Sequence, residues 1–135
     1  MAQPGASVDR RTIPHLHWQH KLGLAASTLG EIVFGLDDLE QAIATICITY
    51  KGSVPLQPEK CCDLLPYIDR APAVAIPNLA REIWDGIAAW EPRVVVEKVV
   101  PRPLGDSRWL FPVSWYPRAD VTRQIRLTEV TFGAP

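Results

Sequence analysis

The sequence predicts an α+β fold, and three observations carry that prediction. Two segments with apolar residues at helical spacing come first, Val- and aromatic-rich segments follow, and prolines and glycines punctuate the joints. The expected order is an N-terminal arm over residues 1–30, two amphipathic helices, then a C-terminal antiparallel sheet of about three strands. Residues 31–135 are read as a single domain, and a chain of 135 residues can bury a core without disulfides or metal.

Taken in order, residues 1–30 are broken up by Pro4, Gly5, Pro14, Gly23 and Gly30, which suits an arm with short extended pieces. The first helix is predicted over 37–50. Leu39, Ala42, Ile43, Ile46, Cys47 and Tyr50 form one stripe, with Asp38, Gln41 and Thr45 opposite. Asp37 is the expected N-cap, Glu40 sits in capping-box position, and Gly52 supplies the stop. A Pro-rich loop is expected over 51–72, with room for one helical turn at 63–69. The second helix starts at Pro72 or near Pro77 and ends at Trp90, before Pro92. Its predicted stripe is Ile76, Leu79, Ala80, Ile83, Ile87 and Trp90.

The strands are predicted at Arg93–Val100, Arg108–Tyr116 and Thr122–Phe132. Pro112 removes a ladder donor and suggests an edge position for the second. In the third, the apolar phase changes between Leu127 and Val130, which suggests a bulge near Thr128–Glu129.

Composition excludes several classes. The net charge is −1 with both signs interspersed, so nothing in the charge calls for nucleic acid. No apolar run approaches the ~20 residues of a membrane span. The first residues lack the apolar centre of a signal peptide, so the protein is expected to stay where it is made or to leave within an assembly. Three cysteines, two of them adjacent, make a poor disulfide framework and suit a reducing compartment. Five tryptophans are many for a chain this size, and about half are expected in its own core.

Catalytic and metal sites are not expected. His15, His17 and His20 cluster without further ligands, and Cys61-Cys62 lacks the spacer of a zinc or thiol-redox motif. Asp37, Asp38 and Glu40 are explained by the helix start. No nucleophile elbow, phosphate loop or dinucleotide fingerprint occurs, and no cofactor is expected. The most informative piece is Trp90-Glu91-Pro92-Arg93, where a helix hands over to a strand. Pro92 fixes a torsion there, and Arg93 offers a fork for a carboxylate.

Several blocks in register carry a family resemblance. They are Gly35-Leu36-Asp37-Asp38-Leu39-Glu40-Gln41-Ala42-Ile43, Lys51-Gly52-Ser53, Pro55 to Pro58, Tyr67-Ile68-Asp69, Ala75-Ile76-Pro77 and Trp90-Glu91-Pro92-Arg93-Val94. Over residues 31–100 the chain resembles the baseplate wedge and sheath-initiator family of contractile phage tails. That family is called tail-lysozyme-like and also supplies a type VI secretion baseplate subunit. The variant with Lys-Gly-Ser and Trp before Glu-Pro-Arg is most similar to Mu-like and P2-like myophages. Lys60-Cys61 departs from the Phe-Gly common in members.

The resemblance implies a structural virion protein of the tail baseplate, made in the host cytoplasm and present in several copies. Its partners would be other wedge proteins, the sheath subunit and tail-tube or hub proteins, with neither nucleic acid nor membrane. The turn Glu91-Pro92-Arg93 would contact the wedge's helical core. Arg93 is expected to pair with a partner's acidic groups. The strands around Arg108–Tyr116 and Thr122–Phe132 are expected to offer an edge to a sheath arm, with Trp109 and Phe111 giving specificity. The alternative is a peptidoglycan-cleaving tail enzyme.

Overall fold

The structure, a computed structural model, describes residues 18–23 and 28–133. The chain forms two compact units, Met1–Gln41 and Ala42–Pro135. His15 and His17 lie outside the described residues.

In the first unit, β1 (Trp18–His20) pairs antiparallel with β2 (Ile32–Phe34), His20 facing Ile32. Helix α1 (Leu36–Ile48) begins here and ends in the second unit. The ribbon is tied to the helix start by amides. Gln19 Nε2 donates to the Asp38 carbonyl at 2.8 Å. Gln41 Nε2 donates to the His20 carbonyl at 2.7 Å, and its Oε1 accepts from the Leu22 N–H at 2.9 Å. The expected N-cap, Asp37, is instead inside the first turn, because Gly35 makes the bend with φ +63°. Asp37 and Asp38 keep the favourable place for carboxylates at a helix N-terminus, though Asp38 is buried rather than on the outer face.

The second unit holds the core. Ile43, Ile46 and Cys47 of α1 are buried, as the helical stripe requires. Short α2 (Leu65–Ile68) and long α3 (Pro72–Trp90) follow. Pro72 is in the first turn, where its missing N–H has no partner to lose, and Pro77 lies inside the helix. The buried face of α3 is Ala75, Leu79, Ile83, Gly86 and Ile87, so Ala75 replaces Ile76, and Trp90 comes to the surface. Gly86 is fixed by close approach, since a Cβ there would stand 2.5 Å from the Cys62 sulfur.

The sheet has four strands rather than about three: β3 (Val94–Val99), β4 (Arg102–Gly105), β5 (Arg108–Pro117) and β6 (Arg126–Phe132). All ladders are antiparallel; β3 and β4 share one side of β5, and β6 takes the other. Thus β5, expected at an edge, is the middle strand. The Pro112 carbonyl accepts from the Val100 N–H at 3.4 Å, so its proton-less nitrogen also faces the β3–β4 side. That is the point where β3 gives way to β4. The middle strand tolerates proline because the missing donor falls in this gap.

The expected bulge in β6 is absent: its register against β5 runs unbroken from Arg126↔Trp115 to Phe132↔Trp109. Register shifts occur instead at Val96/Lys98 and Pro103/Gly105. The phase change has another cause. Thr128 points inward because the buried Trp115 indole N–H donates to its hydroxyl at 2.8 Å, while Ile125 and Leu127 face outward. Gly105 and Arg108 close a two-residue hairpin. Asp106 and Ser107 both have positive φ, as the primed turn that matches strand twist demands.

Candidate functional site: the helix-to-strand corner

Helix α3 ends where the Glu91 N–H donates to the Ile87 carbonyl at 2.8 Å. Pro92 then prevents a further turn, and β3 begins at Val94. Glu91 is buried, and its carboxylate faces Arg93 two residues on. Arg93 Nε donates to Oε1 and Nη2 to Oε2, both at 2.7 Å, and the Arg93 backbone N–H reaches Oε1 at 3.3 Å. This is a bidentate, charge-assisted pair closed across one proline, and it holds the corner rigid. The β5 end completes it. The Arg118 N–H donates to the Arg93 carbonyl at 2.8 Å, and Arg118 Nε donates to the Pro92 carbonyl at 2.9 Å.

Trp90 stands at this corner, 38% exposed, with the Lys60 ammonium 5.8 Å from its ring centroid. The corner therefore presents one aromatic face beside the Lys60 ammonium, with the paired Arg93 and Glu91 and the guanidinium of Arg118 in the turn that follows. Chemically it is a rigid contact surface, an aromatic face with the cations Lys60 and Arg118 beside it.

The sequence-predicted residues separate into two groups. Trp90, Glu91, Pro92 and Arg93 come together at this corner. Trp109 and Phe111 do not join them; both are buried on the inner face of β5, and the Trp109 indole N–H is used by the Ile68 carbonyl at 3.1 Å. Their expected contact with a partner strand is therefore corrected: alternation on a middle strand sends them into the core. Arg93 likewise meets its carboxylate within its own turn. Lys60 and Arg118 escaped the sequence reading. Neither lies near the Glu-Pro-Arg turn in the chain, and only the fold gathers them.

The cysteines are packing groups. Cys47, Cys61 and Cys62 are buried and free, and burial pushes the Cys62 thiol up to about 12 and that of Cys47 higher still. Thiols held protonated are poor nucleophiles. Among the described residues no three His, Cys, Asp or Glu side chains converge as a metal site, and no helix is long and apolar enough to cross a membrane.

The fold is shared with a solved structure. A crystal structure from Geobacter sulfurreducens, of a protein provisionally named a tail lysozyme, superposes with a TM-score of 0.64 at 17% sequence identity. The match covers 85% of this chain and 97% of that one. At that identity the likeness shows a common α+β fold. No protein-family profile matches the chain, and no curated protein matches it in sequence.

Proposed function

We propose that this chain is a structural subunit of a contractile phage-type tail, seated in the baseplate wedge, where it helps sheath assembly begin around the tail tube. In this reading it performs no catalysis, and its place is the virion tail. The fold likeness to a tail protein supports the class, and the residue blocks ending in Trp90-Glu91-Pro92-Arg93 support the finer placement. The observation that carries the reading is the corner itself. A buried carboxylate and an arginine fork are spent on fixing one turn, and the turn displays a half-exposed tryptophan beside the Lys60 ammonium. Such anchors are what alanine scans find at the centre of interfaces.

In this proposal Trp90, Pro92 and Arg118 touch the neighbouring wedge protein, and the Glu91–Arg93 pair positions them. The test is co-expression with the wedge proteins of the same tail. Trp90→Ala is expected to lose co-purification while the domain keeps its fold; a Trp90→Ala protein that still co-purifies in full sinks the reading. The enzymatic alternative is separated by a cell-wall turbidity assay, for which no clearing is expected.

A further inference from the structure

Helix α3 buries one face and leaves another exposed. On the exposed face Pro77, Arg81, Trp84 and Ala88 recur at intervals of four, three and four residues, so they stack in one seam along the helix. Trp84 keeps 41% of its surface exposed. Beside the seam, an open groove of about 350 Å³ runs between α3 and β3. Arg81, Trp84 and Asp85 line it from the helix, and Glu97 and Lys98 from the strand. Its charges balance, two cations against two anions, so it draws neither a strongly basic nor a strongly acidic partner. Arg81 is only loosely held: its ion pair with the adjacent Glu82 is 3.6 Å long, and its side chain is 59% exposed.

The seam reads the same in both directions. A second copy laid antiparallel, about a two-fold axis passing between Glu82 and Ile83, sets Pro77 against Ala88 and Arg81 against Trp84, each match occurring twice. The compact side chains at the two ends let the helices approach. In the middle, the guanidinium of one copy lies on the indole of the other, and the Asp85 carboxylate stands one position further on. A parallel arrangement would instead put Arg81 against Arg81 and Asp85 against Asp85. The order of charges along α3, cation before anion, therefore suits the antiparallel copy alone.

We propose that this chain associates with a second copy of itself through the exposed face of α3, the two helices antiparallel, with Arg81 of each copy seated on Trp84 and beside Asp85 of the other. One patch then serves both sides of the interface, as two-fold pairing requires. A single helix seam is a small interface, so the dimer comes apart on dilution. The proposal goes beyond the wedge reading and uses no residue of the Trp90 corner.

The experiment is sedimentation of the full chain from low micromolar to millimolar concentration, with circular dichroism to confirm that each variant folds. The unaltered chain should pass from monomer to dimer as it is concentrated. Arg81→Glu sets acid against acid twice across the axis, and Asp85→Arg sets base against base, so each variant should dimerise about ten-fold more weakly. Mixed in equal amounts, the two variants should combine with each other, because every contact between them then joins opposite charges. The double variant Arg81→Glu/Asp85→Arg should recover most of the dimer, short of what the guanidinium gains on the indole. Trp84→Ala should weaken dimerisation with no charge altered. Should either charge variant not fold, Trp84→Lys serves beside it and should be the weaker of the two, since a lysine there faces Arg81 of the other copy. A chain that stays monomeric at every concentration overturns the proposal. So does a dimer that the folded variants leave intact, or a mixture of the two charge variants that stays apart. None of these outcomes touches Trp90, so co-purification with wedge proteins tests the other reading separately.

Discussion

Trp115 and Trp90 lie at opposite ends of a contrast between packing and presentation. Trp115 is fully buried, its ring enclosed by the sheet's inner face and its indole N–H given to Thr128. Trp90 ends α3, whose Leu79, Ile83 and Ile87 enter the core, yet it turns outward beside Lys60. Both belong to one small domain, and the difference is where the chain places a satisfied partner. A buried indole needs an acceptor inside, and Thr128 supplies it. An exposed indole needs a rigid mount, and the Glu91–Arg93 pair supplies that. The two tryptophans therefore serve different ends, one stability and the other association.

The largest effect should come from breaking the packed member. Trp115→Ala removes a ring at the centre of the sheet and leaves Thr128 facing a void. A loss of about 3–5 kcal/mol is expected in denaturant unfolding. Arg93→Ala should come next. It leaves Glu91 buried without its fork, and because Arg93 itself keeps 30% side-chain exposure, a loss of about 2 kcal/mol is expected, below the full cost of breaking a buried pair. Thermal unfolding measures it, and Arg93→Lys should recover only part, since a lysine cannot make both bonds. Gly86→Ala should cost about 1–3 kcal/mol, because its methyl would enter the space of the Cys62 sulfur. Pairing it with Cys62→Ala should relieve the crowding; an additive double variant would show that the contact is not the cause. The smallest effect on stability belongs to Trp90→Ala, within about 0.5 kcal/mol. A large loss there would erase the contrast, because Trp90 would then be a packing residue too.

Much of the fold was legible from pattern alone. Apolar residues at helical spacing give α1 and α3, and a run of β-branched residues gives β3, because each element's periodicity is local. Strand order was not legible. Pro112 read as an edge signal since the sequence does not show that its nitrogen would meet a gap between β3 and β4. The supposed bulge in β6 had a similar origin. Thr128 breaks the apolar alternation, and the reason is an indole on the neighbouring strand that pattern does not reveal. Half of the candidate site was visible as Trp-Glu-Pro-Arg, whose residues are consecutive. The rest, Lys60 and Arg118, arrives through tertiary contacts. Trp109 and Phe111 were misjudged for one reason: their role depends on whether β5 is a middle or an edge strand.

The bond from Trp115 to Thr128 also works as a parity key. A slip of β6 by one residue would put Leu127 or Glu129 beneath the indole, where neither apolar methyls nor a carboxylate under desolvation replaces a hydroxyl. The same slip would swap which amides look outward, presenting Thr128 and Val130 to solvent-side partners in place of Leu127, Glu129 and Thr131. One half-buried hydroxyl thus decides which half of the strand's backbone meets β5.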